Sequence, residues 1–329
     1  MMDFGPVPLA QALGAVLAHS VPLAGGGRLR KGKVLDPTDL ATLGAEGLDS
    51  VIAARLGPTD CGEDAAALAL ATALAGPGLD LQVMGTGRVN LLARGPGLAR
   101  INPEAVHAVN ATDPAITLAT VPEWQRMETG GMVATVKIIA YGLAHTAVEK
   151  ACATGHGALA LAPPVLRRAA MVETTLGTAP GDKGWRVTAE RLGRLGVSLA
   201  PETLVPHDEG ALATALRGLD GELLLILTAS ATSDLRDTAP AALRRAGGSV
   251  EHFGMPVDPG NLLFLGALEG RPVVGLPGCA RSPALNGADW VLERLICGLP
   301  VTASDIRRMG VGGLLKDIPT RPRPRSRHD

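Results

Sequence analysis

Two short polar loops carry the residues whose types and spacing could bind an anion. The first loop, Thr228 to Asp237, reads TASATSDLRD, and the second loop, Leu276 to Ser282, reads LPGCARS. Small and hydroxyl side chains let a ligand approach backbone N–H groups, which bind phosphate, while a free carboxylate can hold a metal ion or its bound water. Arg236 and Arg281 could neutralise an anion. We therefore expect an anion site that uses both loops.

The elements that must position these loops can be identified from the apolar runs before them. LLLIL, starting at Leu223, and PVVG, starting at Pro272, are typical of buried strands. Asp237 or Thr238 can cap the helix after the first loop, and Pro240 suits its first turn because no N–H is needed there. In an open α/β sheet, loops of this kind lie at the carboxyl edge of the strands, where anionic ligands bind.

The rest of the chain predicts an α/β fold in three segments. Residues 156–300 alternate between strand and helix patterns, which predicts a mostly parallel sheet with helices on both faces. Within them, Glu269-Gly270 predicts a hairpin between two apolar strands. An N-terminal α+β domain is expected over residues 1–155, where residues 9–19 have helical apolar spacing, and a C-terminal segment with a basic tail over 301–329.

Composition excludes several classes of function. A net charge of −1 disfavours a nucleic-acid or membrane-surface binder, and 2% aromatic residues leave too few stacking platforms for single-stranded nucleic acid. The four cysteines form no CxxC pair, which argues against a zinc site or a disulfide framework and fits a reducing cytoplasm. No apolar run approaches membrane-spanning length, and the N-terminus lacks the positive start of a signal peptide. We predict an unprocessed cytoplasmic protein.

Three motifs carry a resemblance to a known family. LTASATSDLRDTAPAAL is similar to the signature of the molybdopterin-binding fold, which molybdopterin adenylyltransferases and molybdopterin molybdenumtransferases share. PVDPGNLLFLG followed by GRPVVGLPGCARSP resembles the second signature of the molybdenumtransferases, and VPHDEGAL resembles the acidic helix start of the family. The similarity covers about residues 165 to 297. The segment KGKVLDPTDLATLGAEGLDSV shows a fainter similarity to a molybdenumtransferase segment.

The resemblance implies a ligand, a set of site residues and partners. It implies molybdopterin as the ligand, Mg²⁺ with ATP or molybdate as co-substrates, a homo-oligomer, and a molybdoenzyme as a possible recipient. Asp237 and Asp208 match the functional aspartates of the family, with catalytic and metal-binding roles. The expected ligand-binding residues are Thr228, Ser230, Thr232 and Ser233 in the first loop and Pro277, Gly278, Arg281 and Ser282 in the second.

Three functions stay open at this point. The chain could be a transferase that adds a nucleotide or molybdenum to molybdopterin, a carrier that hands the cofactor over without turnover, or an unrelated α/β phosphotransferase. The absence of a Walker loop and of a three-glycine fingerprint disfavours the third. The aspartates favour the first, whereas Ala229-Ser230 and Val257-Asp258, where the family has glycine and lysine, favour the second. Cys279 is interpreted as a small buried filler and His207 as a hydrogen-bonded structural residue.

Overall fold

Residues 2–178 and 180–315 are described by a computed structural model, and they separate into two units. The first unit comprises residues up to 95 and 99–161, and the second comprises residues 96–98 and the chain from 162 onward. The domain boundary that the sequence predicts near residue 155 stays a prediction. The basic tail expected after residue 315 lies outside the described residues.

The described residues of the first unit form short strands, which are mostly paired antiparallel, and four α-helices. Its strands are β1 (Asp3–Pro8), β2 (Val16–Leu17), β3 (Val21–Pro22), β4 (Arg28–Leu29), β5 (Ser50–Arg55), β6 (Asp60–Gly62), β7 (Leu79–Gly85), β8 (Arg88–Ala93), β9 (Gly97–Ile101), β10 (Ile116–Thr120), β11 (Arg126–Met127), β12 (Met132–Ile138), β13 (Gly142–Ala144) and β14 (Leu159–Ala162). Its helices are α1 (Pro37–Ala45), α2 (Glu63–Leu74), α3 (Pro103–Asn110) and α4 (His145–Gly155). The sheets are ordered β1-β5-β2, β10-β12-β8-β7, β11-β9-β14, β13-β6 and β3-β4.

The helix expected over residues 9–19 is wrong. The chain makes a 3-10 turn at Leu9–Gln11 and then enters β2 at Val16. Gly14 adopts a φ of 76°, a left-handed conformation that ends a helix. Leu17 is fully buried in a core that includes Val51 and Ala53 of β5, so packing against β5 outweighs the local helical spacing.

The second unit contains one seven-stranded sheet flanked by helices. Its strands are β15 (Arg168–Thr175), β16 (Ser198–Leu199), β17 (Thr203–Pro206), β18 (Leu223–Leu227), β19 (Ser249–Phe253), β20 (Phe264–Leu268) and β21 (Arg271–Leu276). Its helices are α5 (Lys183–Gly193), α6 (Glu209–Gly218), α7 (Thr238–Arg245), α8 (Gly287–Ile296) and α9 (Ala303–Arg308), and a 3-10 helix spans Gly278–Arg281. The strand order is β16-β15-β18-β21-β20-β19, with β17 also paired to β15.

Both parallel and antiparallel pairings occur in this sheet. β15 pairs in parallel with β16, β17 and β18, and β18 pairs in parallel with β21. β19, β20 and β21 are antiparallel, and the predicted hairpin turn is confirmed by positive φ at both Glu269 and Gly270. The mixed α/β class is therefore confirmed. A mostly parallel architecture is not, because antiparallel pairings predominate across the described chain.

The two faces of the sheet are covered by different helices. Ala170, Val172, Leu224 and Ile226 pack with residues of α6 and α7 on one face. Since side chains alternate along a strand, Glu173 and its neighbours at every second position point to the opposite face. α5 lies on that opposite face, where it packs against α8 and the 3-10 helix. None of the described helices has the length and apolarity needed to cross a membrane.

Candidate functional site

Four parallel strand ends lie at one edge of the sheet in the second unit. β15, β17, β18 and β21 run in the same direction, so their carboxyl ends share that edge. The first loop leaves from Leu227 at the end of β18, and the second loop leaves from Leu276 at the end of β21. Both loops therefore start where ligands of open α/β sheets are bound.

A buried arginine holds the second loop from inside. Arg191 on α5 is only 6% exposed, and its Nε donates to Asp289 Oδ1 at 2.7 Å. Its Nη1 donates to the carbonyl of Ala280 at 2.5 Å, and its Nη2 donates to the carbonyls of Ser282 at 2.6 Å and Ala284 at 2.9 Å. Two carbonyl groups of the second loop, and that of Ala284 just after it, thus turn inward toward a single guanidinium group. This arrangement fixes the path of the loop.

A second arginine links the two loops. Arg281 Nη2 donates to Glu173 Oε1 at 2.7 Å and to the carbonyl of Thr228, the first residue of the first loop, at 3.1 Å. Glu173 is fully buried near the end of β15, whereas 28% of the Arg281 side chain is exposed. The first loop, the second loop and β15 are therefore joined through one side chain.

A cavity of about 340 Å³ opens beside this arginine. Its lining residues are Lys183, Pro259, Gly278, Cys279, Arg281, Ser282 and Ala284. Within the described chain, Lys183 makes no ion pair, and the hydrogen bonds of Arg281 use only Nη2. We call this space the cationic cavity, because a lysine and an arginine with unused donors both face it.

Only some of the expected ligand-binding residues lie at the cationic cavity. Gly278, Arg281 and Ser282 line the cationic cavity, and Pro277 lies buried directly before it. Thr228 is connected to the cavity through its carbonyl group, which accepts a hydrogen bond from Arg281 Nη2. The remaining first-loop residues do not line it: Ser230 and Ser233 are exposed, and Thr232 is buried.

The two predicted catalytic aspartates cap helices instead of lining this cavity. Asp208 Oδ1 accepts from the N–H of Ala211 at 2.9 Å, at the start of α6. Asp237 accepts from Thr238 N–H at 2.7 Å and Ser233 N–H at 3.0 Å, at the start of α7. α6 and α7 cover one face of the sheet, whereas the second loop leads to α8 on the other. The structure therefore does not bring these carboxylates together with Gly278, Arg281 and Ser282, and their catalytic and metal-binding roles stay predictions.

Sequence reasoning did not single out Lys183, Glu173 or Arg191. A charged residue inside the apolar run AAMVETTL was the available signal for Glu173, since buried carboxylates are nearly always paired. Cys279 is exposed on the cavity wall, so the expectation of a buried filler is wrong. His207 Nδ1 lies 2.9 Å from Thr174 Oγ1, as expected for a hydrogen-bonded histidine. Among residues 2–178 and 180–315, no group of three or more His, Cys, Asp or Glu residues is suited to hold a metal ion.

The pH dependence of stability should reveal a half-buried carboxyl group, Glu202, close to Glu173. Burial raises the pKa of Glu202, and the charges of Glu173 and Asp182 raise this pKa further. The stabilising contribution of Glu202 is therefore present below its unfolded pKa and is lost as the pH rises through its higher folded value. We expect Glu202→Gln to raise the midpoint of thermal unfolding by about 1–3 °C at pH 7 to 8.

Thermal unfolding followed by circular dichroism between pH 4 and pH 8 measures this effect. The gain should shrink as the pH falls toward 4, because the glutamate takes up its proton in the folded state first and is already partly protonated in the unfolded state near its ordinary pKa. Glu251→Gln, at an exposed position of β19, serves as the control and should change little at any pH. A gain that is equal at pH 4 and pH 8 contradicts the explanation.

Comparisons with known proteins give distant similarities. A family described as a domain of unknown function, DUF8806, matches residues 6–55 in the first unit. No curated protein matches the sequence. A structure of the molybdopterin biosynthesis MoeA protein from Pyrococcus horikosii has 13% identity and a TM-score of 0.32, over 91% of this chain and 75% of that chain. A molybdenum cofactor biosynthesis protein B has 16% identity and a TM-score of 0.29, over 41% of this chain and 92% of that one.

Proposed function

We propose that the second unit binds molybdopterin, or a matured form of the molybdenum cofactor, through the phosphate group of the ligand. The observation that carries this proposal is the cationic cavity at the carboxyl edge of the sheet, which Lys183 and Arg281 both line and where each keeps donors without a partner among the described residues. Charge-assisted hydrogen bonds from such donors are the strong contacts to phosphate. The three sequence motifs that resemble the molybdopterin-binding family support the choice of ligand.

The cavity fits a phosphate-bearing small molecule in size and in the character of its wall. Its volume of about 340 Å³ lies in the range of small-molecule sites. A Cβ atom built on Gly278 would meet only Arg281 Nη1, at 3.9 Å. The glycine backbone and the guanidinium group therefore open onto the same space, and a ligand can approach both.

Binding without turnover is the form of this function that the geometry supports best. The carboxylates of Asp208 and Asp237 accept hydrogen bonds at helix starts, and neither residue lines the cationic cavity. Mg²⁺ stays a prediction, and among the described residues no group of three or more His, Cys, Asp or Glu residues is suited to hold a metal ion. The alternative is transfer of a nucleotide from ATP, or of molybdenum from molybdate, and the presence of the two aspartates at this edge favours it.

A single incubation experiment distinguishes the carrier function from the transferase function. The purified protein is mixed with molybdopterin, Mg²⁺ and either ATP or molybdate, and both bound pterin and released product are measured. Bound pterin without product, unchanged by Asp237→Ala, supports the carrier. Adenylylated pterin or a molybdenum-bearing cofactor supports the transferase, and the absence of pterin binding overturns both. A cytoplasmic location, a homo-oligomer and a recipient molybdoenzyme stay predictions.

Replacing Lys183 tests directly whether the cationic cavity binds the phosphate group. We expect Lys183→Met to weaken molybdopterin binding about ten-fold, because one charge-assisted contact to phosphate is lost. Fluorescence titration at fixed ionic strength measures the dissociation constant. The matched control is Arg186→Met on the same helix, because the exposed Arg186 pairs with Glu190 on the same helix and does not line the cavity. Equal affinities of the two variants would contradict the placement of the phosphate.

A further inference from the structure

Glu173 is a buried carboxylate that only partly satisfies its hydrogen-bonding capacity. It is fully buried, and its Oε1 accepts from Arg281 at 2.7 Å while its Oε2 has no hydrogen-bond partner among the described residues. The backbone of α5 lies directly against it, since a Cβ atom built on Gly184 would come within 2.7 Å of Oε2. A buried carboxylate with a free oxygen is costly, so its contact with Arg281 must matter to the structure.

The contact decides which donors of Arg281 remain for a ligand. Nη2 is engaged by Glu173 and by the carbonyl of Thr228, so this edge of the guanidinium group is held at the sheet. Nη1 is the nitrogen closest to Gly278 on the cavity wall. Because a guanidinium group is planar, fixing one nitrogen fixes the direction in which the other donors point.

Glu173 also lowers the positive charge available to an anion. Lys183 and Arg281 contribute two positive charges to the cavity wall, and the carboxylate paired with Arg281 offsets one of them. Glu202 lies close enough to Glu173 and Asp182 for the negative charges of these two residues to raise its pKa, in addition to the effect of burial. The remaining charge suits one phosphate group better than a chain of phosphates.

We infer that Glu173 is a positioning residue that aims Arg281 into the cationic cavity and restricts the cavity to ligands with a single phosphate group. This inference rests on the proposed binding of a phosphate-bearing ligand there. The expected ligand is a phosphate monoester, and nucleoside triphosphates should bind poorly in the same cavity. The charge of Glu173 and its role as a hydrogen-bond acceptor make separate contributions, which two substitutions can separate.

Glu173→Gln and Glu173→Leu form a matched pair for this test. Both remove the negative charge, but only glutamine keeps an acceptor for Arg281 Nη2. Calorimetric titration of the full chain with inorganic phosphate and with pyrophosphate gives both affinities. We expect Glu173→Gln to bind phosphate about three- to ten-fold more tightly than the wild type, with a larger gain for pyrophosphate. Glu173→Leu should bind both about ten-fold more weakly than Glu173→Gln.

Different results of these titrations would overturn different parts of the inference. Equal affinities of the glutamine and leucine variants overturn the positioning role, and an unchanged ratio of pyrophosphate to phosphate affinity overturns the selection of one phosphate group. Failure of the wild type to bind phosphate and molybdopterin overturns the proposed function of the cavity.

A measurement without ligand keeps the positioning role testable on its own. In nitrogen NMR spectra, slow rotation of a held guanidinium group separates its Nη1 and Nη2 signals, and Arg281→Lys assigns them. These signals should be separate in the wild type and in Glu173→Gln, and merged in Glu173→Leu. Merged signals in the wild type, or separate signals in the leucine variant, overturn the inference.

Discussion

Replacing Arg191 with methionine is expected to lower the free energy of unfolding of the second unit by about 3–5 kcal/mol. Arg191 and Asp289 are both almost completely buried, and Nε donates to Oδ1 at 2.7 Å. Methionine has a similar length but no donors, so Asp289 becomes an unpaired buried charge. The carbonyls of Ala280, Ser282 and Ala284 lose their donors as well.

Urea unfolding followed by tryptophan fluorescence measures this loss. Trp185 and Trp290 report on the second unit, and a Trp124→Phe background removes the tryptophan of the first. The denaturant slope should stay constant while the midpoint falls. Arg194→Met, at an exposed position that follows α5, is the control and should change stability by less than about 0.5 kcal/mol.

A double variant separates the buried charge from the loss of packing. In Arg191→Met/Asp289→Asn the residue opposite methionine is neutral, so about 1–3 kcal/mol of the loss should be recovered. The three loop carbonyls still lack donors in this variant, so wild-type stability should not return. A loss below about 1 kcal/mol for Arg191→Met would show that the loop does not depend on this arginine.

Replacing Arg281 with methionine is expected to weaken molybdopterin binding about 100-fold. Arg281 lines the cationic cavity and also donates hydrogen bonds to Glu173 of β15 and to the first loop. Its loss removes a charge-assisted contact to phosphate and leaves the negative charge of Glu173 unopposed beside the cavity. Each effect weakens binding, and they act together.

The same substitution also leaves Glu173 buried without its partner. We expect a loss of about 1–3 kcal/mol in stability, less than at Arg191 because part of the Arg281 side chain is exposed to water. Adding Glu173→Leu should restore stability but not binding, because the buried charge disappears while the donor is still missing. Restored binding in the double variant contradicts the proposed role of Arg281.

Arg236→Met supplies the control for binding. Arg236 lies in the first loop, is 90% exposed and pairs only with Asp234 two residues away. Its removal takes away the same formal charge without touching the cationic cavity. An affinity within about two-fold of the wild type is expected, since exposed charges are screened by salt. A loss equal to that of Arg281→Met would place the ligand on the first loop.

Local structure in the second unit could be predicted from sequence because its signals act over a few residues. Asp237 caps α7, Pro240 lies in its first turn, and Glu269-Gly270 makes the hairpin turn. Each of these depends on backbone geometry within one turn of chain. The helix expected over residues 9–19 failed for the opposite reason, since burial of Leu17 in the core depends on residues far along the chain.

The sequence alone determined the α/β class, the two polar loops at strand ends and the motifs that resemble a molybdopterin-binding family. Only the tertiary structure decided which of those residues meet. A loop can be placed after a strand from local pattern, but the face covered by the next helix depends on packing of the whole sheet. For that reason the second loop meets Lys183 and Glu173, which lies 108 residues from Arg281 in the chain, while Asp208 and Asp237 cap helices on the other face.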